Sequence, residues 1–194
     1  MDALLEFAKG SLFKFSFALM ILGSLRIVGL AFFNVGEALY RVEDRKIDYG
    51  EITRNTFSWL FPVKRWSTGR PAYSLISIAF HIGLILVPFF LAAHIGLWNQ
   101  ATGLSWPAMP QTVADILTVV VICCGPALVL GRLFHRNARA ISRFQDYFWP
   151  LMLTVPAFSG FLCANGGLSA EAYRFWMLIH VLCANGIMIF IPFT

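Results

Sequence analysis

Three of the four histidines in this chain, His81, His94 and His180, stand inside long apolar stretches. An imidazole within a membrane can relay protons, or its neutral ring nitrogen can bind a metal such as haem iron. It can also be a packing residue that forms a hydrogen bond inside the helix bundle. The chemistry to be weighed is therefore ligation or proton transfer by intramembrane imidazoles, with packing as the alternative.

The composition places these histidines in an integral membrane protein. Hydrophobic residues make up 58% of the 194 residues, charged residues make up 13%, and the mean hydropathy is +0.71. The apolar runs are continuous and do not alternate in polarity, which favours helices of about 20 residues over a transmembrane barrel. We expect one all-α bundle of five transmembrane helices, with spans near residues 11–33, 73–98, 112–131, 147–163 and 174–194.

Basic residues are concentrated in two of the predicted loops. Residues 34–72 and 132–145 hold eleven of the fifteen lysines and arginines, whereas the two loops at the opposite end hold only Arg174. The positive-inside rule therefore predicts that the N-terminus is outside and that the fifth span ends on the cytoplasmic side. This distribution accounts for the net charge of +5 without a nucleic-acid partner. It also offers a surface on which a cytoplasmic partner subunit can dock.

Helix geometry places two of the histidines at the same depth. His94 lies four residues, about 6 Å, from the predicted outer end of the second span, and His180 lies six residues, about 9 Å, below the outer end of the fifth. Two neutral imidazoles that meet across a helix pair suit bis-histidine ligation of a haem iron. His81 lies on the cytoplasmic half, roughly 20 Å from His94 along an ideal helix, which leaves room for two haems.

The angle between His81 and His94 requires a bend in the second span. Thirteen residues of straight helix leave the two side chains about 140° apart. Pro88 lies between them and lacks a backbone N–H, so it is a cause for a bend or a local rewinding. Gly83 and Gly96 lie close to the two histidines, where a missing side chain lets a flat ring approach the backbone.

Three segments of the sequence resemble one protein family. The runs FHIGLILVPFFLAAH, RLFHRNARAISRFQD and HVLCANGIMIFIPFT are similar to the gamma subunit of respiratory nitrate reductases, a five-helix dihaem cytochrome b. The resemblance covers most of the chain from about Ala72 onward. The long histidine spacing of the second span, with SWPAMP and FQDY, is closer to the branch found in dissimilatory sulfur-metabolism and heterodisulfide reductase-like membrane complexes.

The resemblance implies a role for each histidine in the spans. His94 and His180 match the pair that holds the haem near the outer face, and His81 matches one ligand of the haem near the cytoplasmic face. The family has a further histidine a few residues past the motif PF[ST], which ends here at Thr194. Either the chain ends naturally, with one haem or an unusual second ligand, or it is truncated. We expect a truncated cytochrome b-type domain over residues 1–194.

The resemblance also implies a function. The chain would be a membrane anchor that binds two b haems in the cell membrane of a bacterium or archaeon in anaerobic respiration. It would exchange electrons between quinone or menaquinone, bound near His94, and an iron–sulfur partner subunit on the cytoplasmic side. The alternative is a non-haem anchor or a transporter subunit whose histidines only pack. A transporter would favour an inverted repeat, which the five unlike spans do not form.

Several other polar residues have both a functional and a structural interpretation. Arg26 lies near the level of His81 and could pair with a haem propionate, or it snorkels to the membrane surface. Lys14 and Asp115 lie near the outer ends of their spans, where they border a quinone head group or are ordinary interface residues. His135 is interpreted as a solvated or partner-facing loop residue. The cysteines are interpreted as packing residues; they are Cys123, Cys124, Cys163 and Cys183.

Overall fold

The structure, a computed structural model, describes residues 1–41, 48–60 and 71–193. Nearly all of these residues are helical, and no strand occurs among them, so the all-α prediction is confirmed for this part of the chain. The elements in chain order are α1 (Asp2–Phe7), a π-helical segment (Ala8–Leu12), α2 (Phe13–Arg41), α3 (Tyr49–Leu60), α4 (Pro71–Phe90), α5 (Ala92–Thr102), α6 (Gln111–Phe134), α7 (Arg136–Ile141), α8 (Phe144–Asn165), α9 (Ala170–Phe190) and a 3-10 turn (Ile191–Phe193).

Five helices in the described ranges are long and apolar enough to cross a membrane. They are Asp2–Arg41, which joins α1, the π-helical segment and α2, and then Pro71–Phe90, Gln111–Phe134, Phe144–Asn165 and Ala170–Phe193. Each has at least 20 residues, the length that spans about 30 Å of hydrocarbon. The predicted number of spans is confirmed. The first and fifth begin earlier than their apolar runs indicated, and the second ends at Phe90 and not near residue 98 as predicted.

Four of the spans form an up-and-down row. α4 packs against α6, α6 against α8, and α8 against α9. Each helix runs antiparallel to its neighbour: Gly83 of α4 lies against Val121 while Gly131 of α6 lies against Tyr73, and the same reversal holds from α6 to α8 and from α8 to α9. Residues 103–110 and 166–169 lie at one end of the row, which we call the aromatic end. Residues 132–145 lie at the other, which we call the arginine-rich end.

The first helix lies alongside α9 and runs in the same direction. Asp2 forms a 3.2 Å ion pair with Arg174 near the start of α9, and Gly23 lies against Pro192 just after its end. The N-terminus is therefore at the aromatic end, opposite the arginine-rich loop. The orientation of the bundle in the membrane, with the N-terminus outside, stays a prediction. Five of the basic residues on which that orientation rests lie outside the described residues; they are Arg45, Lys46, Lys64, Arg65 and Arg70.

Small residues make the close contacts between the helices of the row. Gly83 of α4 lies directly against Val121 and the Leu117 carbonyl of α6, so a side chain at this position would collide with that helix. Gly83 therefore brings two helices together and does not expose backbone to a flat ring, which corrects the prediction for it. At Gly96 an added Cβ would meet no atom within 4 Å, so the backbone there is open.

A buried amide joins the first span to the fifth. Asn185, which is 2% exposed, donates from Nδ2 to the carbonyl oxygens of Ala8, at 3.1 Å, and Val181, at 2.8 Å. Ala8 begins the π-helical segment, in which the regular i→i−4 hydrogen-bond ladder is interrupted. Ser16, one turn past this segment, returns its hydroxyl to the Leu12 carbonyl at 2.8 Å. The π-helical turn and Asn185 together fix how the first helix sits on α9.

Candidate functional site

His94 of α5 and His180 of α9 form a pair in the bundle. Their ring centroids are 6.1 Å apart, and their ring planes differ by only 5°. Both residues are half-buried. The sequence predicted that these two histidines share a depth in the membrane, and the structure brings their rings together.

The position of His94 differs from the one predicted for it. The second membrane-crossing helix ends at Phe90, so His94 lies on the separate helix α5 and not within one continuous span. His180 lies within the fifth span, ten residues after the first residue of α9, which is about 15 Å at the helical rise. The depth predicted for His94 along a continuous second span is therefore wrong, although its ring does meet that of His180.

Each ring of the pair is held through Nδ1. His94 Nδ1 lies 3.3 Å from the carbonyl oxygen of Val87, and His180 Nδ1 lies 2.8 Å from that of Pro156. A carbonyl oxygen only accepts, so Nδ1–H donates in both neutral rings and the lone pair is on Nε2. A histidine that binds a metal through Nε2 needs this tautomer, and its other nitrogen commonly donates to such a carbonyl.

A break in the second span sets the position of His94. Leu91 separates α4 from α5, with an extended backbone (φ −72°, ψ 129°). Pro88 lies three residues before it and lacks the N–H that would continue the helical ladder. The Val87 carbonyl accepts both the Leu91 N–H, at 3.0 Å, and the His94 ring. The interruption predicted between His81 and His94 is confirmed, at the residue where the two helices meet.

Small residues of α8 make room for the His180 ring. A Cβ added at Gly160 would lie 2.9 Å from two atoms of this ring, so the imidazole lies directly against the α8 backbone. Ser159 is fully buried and donates its hydroxyl to the carbonyl oxygens of Val155, at 2.9 Å, and Pro156, at 3.3 Å. The Pro156 carbonyl, which also accepts from His180, is therefore the anchor of this contact.

The loop at the aromatic end closes over the helix break. The Trp106 indole N–H donates to the Phe89 carbonyl at 2.7 Å, and the Met109 N–H donates to the Phe90 carbonyl at 2.9 Å. In a continuous helix these carbonyls would accept N–H groups from residues 93 and 94. The break removes those donors, and the segment SWPAMP supplies others.

An apolar groove lies beside this loop. It is a shallow, open depression, and its walls are Phe89, Phe90, Trp106 and Pro107. Trp98 adds further aromatic surface, since its ring is 6.0 Å from that of Phe89 and 5.9 Å from that of Trp106, centroid to centroid. The aromatic end therefore offers flat apolar walls next to the break that positions the histidine pair.

His81 is separate from the pair. It is exposed on α4, its Nδ1 lies 2.6 Å from the Ser77 carbonyl oxygen, and its ring packs edge-on against Phe80. Nδ1–H is the donor here too, so Nε2 again carries the lone pair. Among the described residues no second imidazole accompanies His81. Its predicted partner lies past Thr194, which is itself outside them.

The pair offers two imidazoles and no further metal ligands. In the part of the chain that the structure describes, no group of three or more His, Cys, Asp or Glu side chains is arranged to hold a metal. A haem iron would require only axial ligands from the protein, and two imidazoles are one such ligand set. Haem at this pair stays a prediction.

Arg26, Lys14 and His135 lie apart from the pair. All three are exposed, Arg26 and Lys14 on α2 and His135 between α6 and α7. Within the described residues no ion pair joins Arg26 to another side chain, so its pairing with a propionate stays a prediction. His135 has the exposure expected of a loop residue. The cysteines are free thiols, in the spans or at their ends; they are Cys123, Cys124, Cys163 and Cys183.

Asp115 has a structural role at the aromatic end. Its Oδ1 accepts hydrogen bonds from Gln111 Nε2, at 2.9 Å, and from Asn165 Nδ2, at 3.1 Å. The second of these bonds joins the start of α6 to the end of α8. Of the two interpretations predicted for Asp115, the structure provides direct partners for the interface role.

Lys9 is a residue that the sequence reasoning missed. It is exposed in the π-helical segment, which packs against α9. No motif marks this lysine, because its position beside α9 depends on the contact between the first and fifth spans. The π-helical turn that seats the first helix thus also places a positive charge beside α9.

Comparison with known proteins finds a relative in Nitratidesulfovibrio vulgaris (strain Hildenborough), a protein 32% identical over 142 residues. These residues are 73% of this chain and 62% of the relative, so the chain spans less than two thirds of the relative's length. No protein-family model matches the chain, and no solved structure matches it significantly. The resemblance to the nitrate reductase gamma subunit stays a prediction.

Proposed function

We propose that this chain is a haem b-binding, multi-pass subunit of the cell membrane of a bacterium or archaeon. It exchanges electrons between the quinone or menaquinone pool and an iron–sulfur partner subunit on the cytoplasmic side. The observation that carries the proposal is the parallel pair of His94 and His180, with both Nε2 atoms left free. The similarity of the sequence to a dihaem cytochrome b family supports the same function.

The spacing of the pair suits one iron between two imidazoles. Imidazole nitrogens bind transition metals at about 2 Å, and each nitrogen lies about 1 Å from the centre of its ring. Two imidazoles on opposite sides of one iron would therefore have ring centroids roughly 6 Å apart. The observed separation is 6.1 Å. Aromatic rings that only pack against each other have centroid separations of about 4.5 to 7 Å, so the distance alone suits both iron ligation and simple packing. The common tautomer of the two rings favours ligation.

The protein contributes the orientation and basicity of the two ligands. By accepting from Nδ1–H, the Val87 and Pro156 carbonyls keep Nε2 unprotonated and make it a stronger donor of its lone pair. Neither Nε2 has a hydrogen-bond partner among the described residues, so both lone pairs would be available for an axial bond. When bound, haem supplies a carrier that gains and loses one electron at a time.

The apolar groove at the aromatic end is the proposed quinone position. Its walls at Phe89, Phe90, Trp106 and Pro107 suit a flat apolar ring, and the groove opens beside the break that places His94. Oxidation of one quinol to quinone releases two electrons, which pass singly to the partner's iron–sulfur centre, and two protons, which leave to water at that end. The reverse reaction balances equally, and the potentials set the direction.

A second haem is proposed at His81. Arg26 on α2 would offer its guanidinium to a propionate of this haem. The partner subunit would dock at the arginine-rich end, where residues 132–145 hold four arginines. The two haems would then lie towards opposite ends of the bundle, and electrons would cross the membrane in two steps.

The rival function is a non-haem anchor or transporter subunit in which the imidazoles only pack. The Nδ1 hydrogen bonds satisfy one nitrogen of each ring in that case as well. The two functions differ in whether the purified protein carries haem. They also differ in the effect of removing one imidazole, because a packing histidine controls no cofactor.

Haem content is the experiment that tests the proposal. The protein purified in detergent should contain haem b by the pyridine haemochrome assay. His94→Ala and His180→Ala should each abolish the haem held by the pair, while the protein still inserts into the membrane. His135→Ala is the matched control, since it removes an exposed histidine outside the spans, and it should change nothing. A folded but colourless wild-type protein would rule out the haem function.

A further inference from the structure

We propose that the loop of residues 103–110 is a positioning element for His94 and that it acts mainly through Trp106. The inference deepens the proposed function, on which its spectroscopic test rests. Its geometric part stands on hydrogen bonds at the helix break and holds with or without a cofactor. Trp106 is a positioning residue, since it acts on the backbone that leads into His94.

The first step concerns the backbone of His94 itself. In a regular helix the Phe90 carbonyl accepts the N–H of His94. Here the His94 N–H turns to the Leu91 carbonyl, at 2.9 Å, and the Phe90 carbonyl accepts the Met109 N–H, also at 2.9 Å. The Met109 N–H thus replaces the His94 N–H as the donor to the Phe90 carbonyl. This exchange moves the histidine out of the register of α4.

The second step concerns the Phe89 carbonyl. The break also deprives it of its helical donor, and the Trp106 indole N–H supplies a short bond of 2.7 Å. A carbonyl left without a donor at membrane depth is costly, so this bond stabilises the broken helix. A continuous helix already satisfies Phe89 and would gain nothing from the indole. Trp106 therefore favours the one conformation that pairs His94 with His180.

The third step compares how the two rings of the pair are held. The bond from His180 to Pro156 is 2.8 Å long, whereas the bond from His94 to Val87 is 3.3 Å long. Longer hydrogen bonds restrain orientation less. The His94 ring therefore depends more on its backbone than the His180 ring does. A change at Trp106 should alter the angle between the two imidazoles before it alters the amount of haem bound.

The test removes the indole N–H and keeps the ring. Trp106→Phe should shift the ferric low-spin EPR signal of the haem at the pair, because that signal follows the angle between the axial imidazole planes, now 5°. It should also shift the midpoint potential of this haem, with haem content retained. Trp106→His should restore the wild-type signal, since histidine Nε2 can occupy the place of the indole nitrogen.

Trp98→Phe is the matched control. Trp98 belongs to the same aromatic cluster, and among the described residues its indole N–H meets no carbonyl, so its loss should leave the EPR signal unchanged. An unchanged signal in Trp106→Phe, or the same change in Trp98→Phe, would overturn the proposal. A Trp106→His variant that behaves like Trp106→Phe would overturn it as well.

Hydrogen exchange separates this proposal from the haem function. Loss of one stabilising hydrogen bond at the break should speed amide exchange in residues 92–95 by roughly tenfold, relative to the wild type. The measurement requires no haem. Faster exchange in Trp106→Phe than in the wild type would support the positioning role, whether or not haem is bound. If the wild-type protein also binds no haem, the positioning role would stand and the proposed haem function would be overturned. Equal exchange in Trp106→Phe and wild type would overturn the positioning role alone.

Discussion

The His94 region and the His81 region use the same local chemistry and differ in what surrounds it. All three membrane histidines donate Nδ1–H to a backbone carbonyl and keep Nε2 free. Of His94 and His81, only His94 has a second imidazole nearby among the described residues, that of His180, and only His94 follows a helix break. The tautomer is therefore set by one hydrogen bond within reach of each ring. The pairing depends on how whole helices pack.

The surroundings of the two regions show what pairing requires. His81 is exposed on the uninterrupted part of α4, and its carbonyl partner, Ser77, is one turn away on the same helix. His180 instead reaches across to the α8 carbonyl of Pro156, which is possible because Gly160 leaves the helix surface bare. A paired site thus needs a second helix shaped to receive the ring, whereas a single imidazole needs only its own turn.

Replacing His81 should affect only the His81 region and leave the His94 region unchanged. We expect His81→Ala to remove any second haem and to leave the haem of His94 and His180 with its full occupancy and unchanged midpoint potential. The reason is that no hydrogen bond or ring contact joins His81 to the pair in the described structure. Redox titration of the purified protein, followed in the visible bands, measures both signals. Loss of the haem at the pair in this variant would contradict the separation.

Gly160 provides a smaller but more direct test of the pair. A Cβ at this position lies 2.9 Å from the His180 ring, so Gly160→Ala should displace the imidazole and lower haem occupancy. Overpacking of this kind typically costs about 1–3 kcal/mol in the free energy of unfolding. The measurement is haem per polypeptide, together with the thermal stability of the detergent-purified protein.

The control for Gly160 lies on α2, in the first span. A Cβ at Gly29 meets no atom within 4 Å, so Gly29→Ala should leave haem occupancy unchanged. Its helix should become slightly more stable, because alanine loses less entropy than glycine on folding. Equal haem loss in the two variants would mean that the contact between Gly160 and His180 has no special role.

The number of spans could be predicted from the sequence because it follows from a local rule: hydropathy over about 20 residues defines a span. The depth of His94 could not, because the helical rise converts residue number into depth only along a continuous helix, and the second span ends at Phe90. The bend was also predictable in outline, since Pro88 removes an N–H. Its position at Leu91 was not, because it depends on donors from Trp106 and Met109, which are brought in by the fold of a later loop.

Other parts of the site depend on which face a residue presents. A glycine in a membrane helix looks the same in sequence whether it faces a ligand or a neighbouring helix, and Gly83 proved to face α6. Gly160 had no sequence signal, because its partner His180 is 20 residues away on another span. Lys9 escaped notice for the same reason. Long-range contacts of this kind cannot be derived from hydropathy or spacing.

Replacing Asp115 is expected to have the smallest effect of these variants. It tests whether the aromatic end outside the histidine pair contributes only to stability. Asp115→Ala removes its two hydrogen bonds, to Gln111 and Asn165, and should lower the free energy of unfolding by about 0.6 kcal/mol, the average for polar contacts between membrane helices. Haem content and quinol oxidation should stay at wild-type levels, because the carboxylate is engaged in joining α6 to α8.

Asp146 at the arginine-rich end serves as the comparison for Asp115. Its carboxylate accepts the Arg143 backbone N–H at 2.8 Å at the start of α8, and its loss should cost about 1 kcal/mol. Neither variant should change the haem at the pair. If Asp115→Ala instead slows quinol oxidation at full haem occupancy, the carboxylate acts on the quinone, and the site at the aromatic end extends beyond the helix break to the start of α6.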